Sequence, residues 1–376
     1  MEERKIRIAI THGDTNGIGY ELIFKVFSEP AMLELCTPII YGSPKVAAYH
    51  RKALDLQTGF NIIGHPSDAH DNKLNILTTF DEEVKVEMGI PSTEAAKAAR
   101  IALEHAVKDY ENGHIDAVVT CPVNIEKMKE EGFPCNGQAE YIEKQLQQDR
   151  KALNMLVYDD LRIAFATSRI PLAEVSRNIT KELIVEKATT LAGCLKRDFQ
   201  ISNPRIAVLA LNPTQSEKQF IGNEEKDIIT PAVNELMGNR INAFGPFAAD
   251  EFFTNDTYQS FDATLALHEE QGRIPFKLIA EANEGTIYTA GLNLIRTAPN
   301  IDIQYDATGK NTADENPLRQ AIYLAIDIAR SRTNYDLPLA NPLPKLYRER
   351  RDDSEKVRFA IPKKKEEKPQ TEQDEE

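Results

Sequence analysis

Apolar residues near the N-terminus follow the two-residue period of a strand. Ile6, Ile8 and Ile10 occupy alternate positions, and the glycine-rich stretch 13–19 follows them directly. Since successive side chains of a strand point to opposite faces, this spacing predicts a strand that ends in a tight turn. A helix is predicted to follow, from about Glu21 to Phe27.

The same order of strand and helix recurs along the chain. Ser92 is a good N-cap for an alanine-rich helix over 92–111, and Asn112-Gly113 is a good stop signal after it. Asn316-Pro317 likewise suits the N-cap and first position of a final helix. Further helices are predicted over 181–196 and 224–236, and further strands over 115–121, 205–211 and 261–267. This alternation predicts an α/β layered fold with a largely parallel sheet.

The composition and net charge limit the functions that such a fold can have. The 376 residues are 41% hydrophobic and 28% charged, which is ordinary for a globular protein and allows about two domains. The 45 Lys and Arg residues against 59 Asp and Glu residues give a net charge of −14. A broad basic surface for nucleic acid is therefore not expected, although one or two local cations suffice to bind a small anionic substrate.

Targeting signals and cysteines indicate the compartment. No apolar run reaches about 18 residues, so we expect no membrane-spanning helix. The N-terminus lacks the apolar core of a signal peptide before the first predicted strand. After about Arg351 the chain becomes strongly polar, and we expect residues 361–376 to be disordered. Scattered cysteines without a C-x-x-C pair indicate free thiols in a reducing cytoplasm; they are Cys36, Cys121, Cys135 and Cys194.

Polar stretches that follow predicted strands are the candidates for chemistry, because ligands in α/β sheets collect at the carboxyl ends of strands. The turn at 13–19 either offers backbone N–H groups to an anion or only reverses the chain tightly. Cys121 has no evident paired base and is interpreted as a small buried thiol. The other candidate stretches are 116–124, 211–217, 266–277 and 290–310.

In two of these stretches, the charged residues can be interpreted in more than one way. His268, Glu269 and Glu270 resemble metal ligands, but consecutive side chains of an extended segment point to opposite faces and do not converge on one ion. An exposed acidic turn is the favoured interpretation there. Arg296 follows an apolar stretch and is either a fork for phosphate or carboxylate or a surface ion-pair partner.

Ten short motifs follow one another in a fixed order. They are ITHGDTNGIGYE at 10–21, DAVVTCPVN at 116–124, GQAEY at 137–141, IPL at 170–172, LNP at 211–213, GNEE at 222–225, EQG at 270–272, AGL at 290–292, IRT at 295–297 and YDATGK at 305–310. Taken together, the set resembles the 4-hydroxythreonine-4-phosphate dehydrogenase (PdxA) family of vitamin B6 biosynthesis. The resemblance extends from about Ile6 to Arg330. Each motif alone is weak, and the order identifies the chain as a member.

The resemblance implies a bilobed α/β/α subunit related to the isocitrate and isopropylmalate dehydrogenases. It places residues 1–124 with 311–343 in a first lobe and residues 125–310 in a second, and leaves 344–376 as a polar tail. It also implies a cytoplasmic homodimer whose active sites are shared between subunits.

The implied reaction is the NAD-dependent oxidation of a secondary alcohol in the small anionic substrate 4-phosphohydroxy-L-threonine, after which the 3-oxo acid loses CO2. A divalent metal polarises the oxygen in this family. The family does not bind its dinucleotide on a G-x-G-x-x-G turn. By the same resemblance, Lys277 and Arg296 are substrate-side cations, and Asp306 and Gly309 lie on the cofactor side.

The motifs differ from those of the family at the positions that bind the catalytic metal. Family members bind the metal with three histidines, and those positions are occupied here by Arg169, Thr214 and Glu269. Arginine has no free lone pair and stays protonated, so it is no metal ligand. Such a set is a poor match for zinc, cobalt or manganese, and we expect no metal at it.

Substrate positions differ as well. Gln138 and Ala139 replace the histidine and threonine of the family's G-H-T-E phosphate-binding stretch, and Ile287 replaces an asparagine. Ile125 stands where the family has a lysine, and the H-G-T-A stretch reads IDIQ at 301–304.

Three interpretations remain open. The chain is a family dehydrogenase with reduced or lost activity, a catalytically silent binding or regulatory paralogue, or a metal-free dehydrogenase of another hydroxy acid. Loss of the required ligands favours reduced or lost family activity. We further hypothesise that Arg169 and Glu269 form a bidentate ion pair that holds lobes or subunits together without metal.

Overall fold

One sheet of twelve strands organises the part of the chain that the computed structural model describes, residues 4–80, 84–146, 151–216, 219–280 and 285–342. The strands lie in the order β11-β8-β12-β7-β6-β13-β14-β5-β1-β2-β4-β3, and β9 and β10 form a separate hairpin. The strands are β1 Arg7–Thr11, β2 Thr37–Gly42, β3 Asn61–Ile63, β4 Asn75–Thr78, β5 Ala117–Thr120, β6 Leu153–Tyr158, β7 Leu161–Phe165, β8 Arg205–Leu209, β9 Thr214–Ser216, β10 Gln219–Phe220, β11 Asn242–Phe247, β12 Ala263–Ala266, β13 Thr286–Ala290 and β14 Ile295–Pro299.

Helices cover both faces of this sheet. They are α1 Gly19–Val26, α2 Ala31–Leu35, α3 Pro44–Ala53, α4 Thr93–Glu111, α5 Ile125–Glu130, α6 Gln138–Leu146, α7 Leu172–Asn178, α8 Lys181–Arg197, α9 Thr230–Gly238, α10 Ala249–Thr254, α11 Glu269–Ile279 and α12 Asn316–Ala340. None of the helices in these ranges is both long enough and apolar enough to cross a bilayer.

Most strand pairs are parallel, which confirms the predicted sheet. Within the described part of the twelve-stranded sheet, antiparallel pairing is confined to β6 with β7 and to β13 with both β6 and β14. The central strands carry uninterrupted apolar runs because helices bury both of their faces; Ile8, Ala9 and Ile10 of β1 are all fully buried. The carboxyl ends of β1 and β5 therefore lie side by side.

Several predicted elements are found close to their predicted bounds. The helix predicted at 92–111 is α4, and the Ser92 hydroxyl accepts a 3.1 Å hydrogen bond from the Ala95 N–H, as an N-cap does. The helix predicted at 224–236 is divided into a π-helical turn, Glu225–Ile229, and α9. Pro231 explains the division, because it has no N–H to continue the regular hydrogen-bond ladder.

The prediction of an exposed acidic turn around Glu269 and Glu270 is wrong, because both residues lie in a helix. Glu269 begins helix α11, and both glutamates occupy its first turn, where carboxylates favour the helix dipole. Close packing holds this helix on the sheet, since a Cβ at Gly272 would lie 2.6 Å from the Ile163 side chain and 2.8 Å from that of Phe165.

A buried polar network ties the last helix to the sheet. Arg332 of α12 donates from Nε to Asp198 Oδ1 at 2.6 Å and from Nη2 to the Tyr288 hydroxyl at 2.9 Å. Tyr288 in turn donates to Asp198 Oδ2 at 2.6 Å, and the Cys194 thiol contacts the same oxygen at 2.7 Å. Each group in this network is satisfied by another, as a buried charge requires.

The four cysteines are free and buried. Cys121 is the small buried thiol that the sequence predicts, and burial raises its pKa to about 12. The described residues up to Asp336 form one compact unit. The proposed lobe boundaries stay a prediction, and the stretch expected to be disordered, 361–376, lies outside the described residues.

Candidate functional site

A cleft of about 1010 Å³ opens at the carboxyl ends of the central strands. Thr120 and Cys121 border it at the end of β5, Arg169 after β7, and Glu269 at the start of α11 after β12. Ligand sites of open α/β sheets collect at this edge. The other residues singled out by the sequence that border this cleft are Ile125, Gln138, Ala139, Lys277, Ile287, Arg296, the stretch 301–304 and Asp306.

Arg296 is a buried cation on the wall of this cleft. Its residue is only 6% exposed, so the alternative of a surface ion pair is wrong. The guanidinium donates from Nη2 to the Thr120 hydroxyl at 2.6 Å and from Nη1 to the Thr289 hydroxyl at 3.3 Å. In the described ranges no carboxylate oxygen lies within 4 Å of it, so neutral hydroxyls alone hold a buried positive charge.

Arg169 brings a second guanidinium to the same cleft. Its Nη1 donates to the Asn136 carbonyl at 2.5 Å, and a Cβ on Gly137 would lie 3.2 Å from its guanidinium carbon. Burial, and secondarily the positive charge of Arg169, lower the pKa of Arg296 to about 10. Both guanidinium groups border the same cleft, so their like charges repel one another.

Glu269 fixes the backbone of Arg169 and does not pair with its guanidinium. Glu269 Oε2 accepts a 3.0 Å hydrogen bond from the Arg169 N–H, and Oε1 pairs with Arg273 at 3.2 Å. The bidentate Arg169–Glu269 pair that we hypothesised is thus not formed within one described chain. Arg169 has a φ of 56°, a left-handed conformation that costs a non-glycine residue free energy.

The start of helix α6 forms another wall. The Gln138 side chain is buried and donates to the Cys121 carbonyl at 3.4 Å, and Ala139 is buried beside it. Ile287 of β13 adds an apolar surface opposite. Lys277, exposed near the end of α11, is a further cation at the rim. These positions are in place around the cleft, but their roles toward a substrate stay predictions.

The segment after β14 closes the cleft on one side. The Tyr305 hydroxyl donates to Asp14 Oδ2 at 2.7 Å and accepts from Asn124 Nδ2 at 3.3 Å. Burial raises the pKa of Asp14, and burial likewise raises that of Tyr305. Asp306 is exposed at the rim, and Gly309 has a φ of 79°, which suits glycine.

Thr214 does not border the cleft. It begins β9, next to a loop in which Glu225 accepts the N–H groups of Leu211 and Asn212 at 2.9 and 2.8 Å. The sequence singled out Thr214 by resemblance alone, and the described chain does not place it with Arg169 and Glu269.

A buried aromatic stack lies behind the first turn, and no sequence pattern predicted it. The Tyr20 ring lies between the imidazoles of His12 and His50, with centroid distances of 5.1 and 5.2 Å. His50 Nε2 contacts the Thr15 carbonyl at 2.8 Å, whereas in the part of the chain that the structure describes neither ring nitrogen of His12 has a partner of good hydrogen-bond geometry. Burial lowers the pKa of His12 to about 3 and that of His50 to about 4.

Comparison with known proteins identifies the family. Residues 34–325 match the family described as pyridoxal phosphate biosynthetic protein PdxA. The chain belongs to the PdxA family. It is 50% identical over 359 residues to the 4-hydroxythreonine-4-phosphate dehydrogenase of Bacteroides thetaiotaomicron, which covers 96% of this chain and 98% of that protein. A second relative of that name, from a Sulfurihydrogenibium species, is 35% identical and covers 87% of this chain and 99% of its own length.

Solved PdxA structures share the fold. The 4-hydroxythreonine-4-phosphate dehydrogenase of Klebsiella pneumoniae has a TM-score of 0.75 at 26% identity, covering 88% of this chain and 99% of its own. That of Burkholderia phymatum has a TM-score of 0.71 at 27% identity, covering 87% and 99%. The family resemblance and the α/β class expected from the sequence are both confirmed.

The residues at the family's metal positions do not fit a divalent ion. Arg169 has no lone pair to donate, and Thr214 lies outside the cleft. Glu269 is engaged by a backbone N–H and by Arg273. Within the described ranges, no three His, Cys, Asp or Glu side chains are placed to hold a metal ion together. Arg169 thus occupies a position for which the resemblance implies a histidine ligand, and carboxylates such as Glu140 and Glu269 border the cleft as well.

The segment that the resemblance places on the cofactor side also borders the cleft. The exposed Asp306 carboxylate borders it, and a carboxylate is the acceptor that ribose hydroxyls require. The adjoining segment is anchored, because the Ile18 N–H donates to the Ile303 carbonyl at 3.4 Å. The cofactor role that the resemblance implies for Asp306 stays a prediction.

Proposed function

We propose that this PdxA chain is an NAD-dependent dehydrogenase whose cleft binds a small anionic hydroxy acid of the 4-phosphohydroxy-L-threonine type. Its turnover is lower than that of relatives with three metal-binding histidines. The proposal includes a cytoplasmic homodimer. The relatives' names and the family match support the reaction class, and the cleft supports the class of substrate.

The observation that carries the proposal is the buried charge of Arg296. A guanidinium removed from water without a carboxylate partner is costly, and the hydroxyls of Thr120 and Thr289 do not neutralise it. An anionic substrate group entering the cleft supplies the missing charge. The low local dielectric strengthens this attraction compared with a surface pair.

The chain's own residues orient the substrate in this proposal. Thr120 and Thr289 fix the plane of the Arg296 guanidinium, so an anionic group is bound in one orientation. Lys277 provides a second charge at the rim, and Asp306 holds the cofactor. The bound cofactor supplies the hydride acceptor. Positioning of this kind lowers the barrier by removing translational and rotational freedom beforehand.

A second candidate function is supported by the metal positions. Without a Lewis acid, the charge that develops on the substrate oxygen loses a stabiliser worth several kcal/mol. A binding or regulatory protein would keep Arg296 and the fold without needing that stabiliser. The replaced positions Gln138, Ala139 and Ile287 agree with this candidate or with a different hydroxy acid as substrate.

One assay separates these functions. The full-length protein is mixed with NAD and 4-phosphohydroxy-L-threonine, and NADH absorbance is followed with and without chelator and added divalent metal. Slow NADH formation at the same rate with and without chelator supports the proposal. Metal-dependent turnover would show that another ligand set exists. Absence of turnover in a folded protein that still binds the substrate, measured by calorimetry, supports the silent binding protein instead.

The homodimer is tested separately. Sedimentation of the full chain at several concentrations is expected to give twice the monomer mass. A monomer at all concentrations would remove that part of the proposal.

A further inference from the structure

Two guanidinium groups share the cleft, and neither has an anionic partner in the described chain. Arg296 is bonded to hydroxyls, and Arg169 to the Asn136 carbonyl. Bringing two like charges together costs free energy, because each raises the potential at the other. Arg296 is buried and Arg169 is exposed, so this cost falls mainly on Arg296, and a negative charge bound by both groups would offset it.

Arg169 is built into its position by several restraints. The hydrogen bond from its N–H to Glu269 holds the left-handed backbone, and Arg273 holds the other oxygen of that carboxylate. The preceding turn is anchored as well, since the Thr167 hydroxyl donates to the Leu267 carbonyl at 2.7 Å. Backbone strain maintained in this way is typical of functional sites.

Gly137 leaves the space that the Arg169 guanidinium occupies. A Cβ there would lie 3.2 Å from both the guanidinium carbon and Nη1 of Arg169, so a side chain would displace the group. The guanidinium consequently lies against the first residues of α6, where backbone N–H groups also favour negative charge. Both features point to the same kind of ligand.

We propose that Arg169 contacts the ligand directly and binds its anionic oxygens together with Arg296, so that this cleft binds its ligand without a divalent metal. The inference deepens the proposed function, on whose anionic substrate it rests. A guanidinium suits this task because its donors match the oxygens of phosphate or carboxylate in pairs. The negative charge then relieves the repulsion between the two arginines.

Phosphate binding tests this inference. Inorganic phosphate is titrated by calorimetry into the full-length protein at low salt in the presence of EDTA. Arg169→Gln is expected to weaken phosphate affinity by about tenfold or more, and Arg169→Lys by a smaller factor, because lysine keeps the charge and loses the fork. Arg177→Gln is the matched control, since Arg177 is exposed on α7 and does not border the cleft.

The outcomes distinguish the inference from the proposed function. Affinity of Arg169→Gln within twofold of the wild type, no phosphate binding by the wild type, or loss of binding with EDTA would overturn the inference. Thermal melting confirms that each variant folds. If the binding result holds and no NADH forms from 4-phosphohydroxy-L-threonine, the proposed function fails alone. If Arg169→Gln makes NADH with unchanged KM, the inference fails alone.

Discussion

The Tyr305 hydroxyl donates a 2.7 Å hydrogen bond to the carboxylate of Asp14, 291 residues earlier in the chain. Asp14 is almost fully buried in the first turn, and its other oxygen accepts the Asn16 N–H at 2.8 Å. This bond attaches the segment that carries Asp306 to the carboxyl end of β1. The Tyr305 hydroxyl is therefore the side-chain anchor of the cleft wall on the proposed cofactor side, beside the backbone bond from Ile18 to Ile303.

Tyr305→Phe is expected to destabilise the protein by about 1–3 kcal/mol, because it leaves the buried Asp14 carboxylate without one of its donors. The pKa of Asp14, already raised by burial, should rise further, since the hydrogen bond from Tyr305 opposes that shift. Urea unfolding at pH 7 measures the loss of stability. Tyr335→Phe, an exposed tyrosine on α12, is the control and should change stability little.

A double-mutant cycle with Asp14→Asn isolates this interaction. If Tyr305→Phe costs as much in the Asp14→Asn background as in the wild type, the hydroxyl acts through other contacts, and the importance assigned to the bond is wrong.

Acid should weaken the fold through the histidine stack. Burial lowers the pKa of His12 to about 3 and that of His50 to about 4, whereas an unfolded histidine titrates near 6.5. Between these values the unfolded chain binds more protons than the folded one. Stability is therefore complete above about pH 6.5 and falls as the pH decreases through this window, by about 2 kcal/mol for each histidine between pH 7 and pH 5.

His12→Met is expected to remove its share of this pH dependence. Neither nitrogen of His12 has a partner of good hydrogen-bond geometry among the described residues, so an apolar side chain of similar size is expected to fit without loss of a strong hydrogen bond. Urea unfolding at pH 7 and pH 5 gives the difference in stability for each variant. His105→Gln, an exposed histidine of α4, should keep the wild-type difference. An unchanged difference in His12→Met would contradict the assignment to this stack.

Local signals predicted the elements well, and distant contacts explain what they missed. Ser92 and Asn112-Gly113 gave the bounds of α4, because caps depend only on neighbouring residues. Strands β6 and β7 escaped prediction; they pair with each other as a tight hairpin, and their outer neighbours β13 and β12 come from distant parts of the chain. The motif order located the family, since spacing along the chain preserves it even where single residues change.

The candidate site was predictable only in part. Arg169, Arg296 and Lys277 border one cleft, as the resemblance required for a shared site. Thr214 lies elsewhere in the described chain, and the expected Arg169–Glu269 pair is replaced by a backbone contact. Sequence patterns give no information on which atom of a side chain meets which partner, and here that choice decides the electrostatics.

The buried network around Asp198 should dominate the stability of the last helix. Asp198→Asn is expected to cost about 3–5 kcal/mol, because it leaves the Arg332 guanidinium buried without its carboxylate. Arg197→Gln is the control, since the neighbouring pair of Arg197 with Asp336 is partly exposed and should contribute about 1 kcal/mol or less. Thermal or urea unfolding compares the two, and equal losses would show that burial of the network is not decisive.

Gly137→Ala tests the placement of Arg169 without changing a charge. The new methyl group would lie 3.2 Å from the guanidinium carbon, so the guanidinium must move by a few tenths of an ångström. We expect phosphate affinity to fall about three- to tenfold by calorimetry, while the free energy of unfolding changes by less than about 1 kcal/mol. Gly193→Ala on α8 is the control, because nothing lies within 4 Å of a Cβ there. Its phosphate affinity should equal that of the wild type, and its stability should rise slightly, as helical Gly-to-Ala changes do. Unaltered phosphate affinity in Gly137→Ala would mean that the anion does not contact Arg169 in the position described.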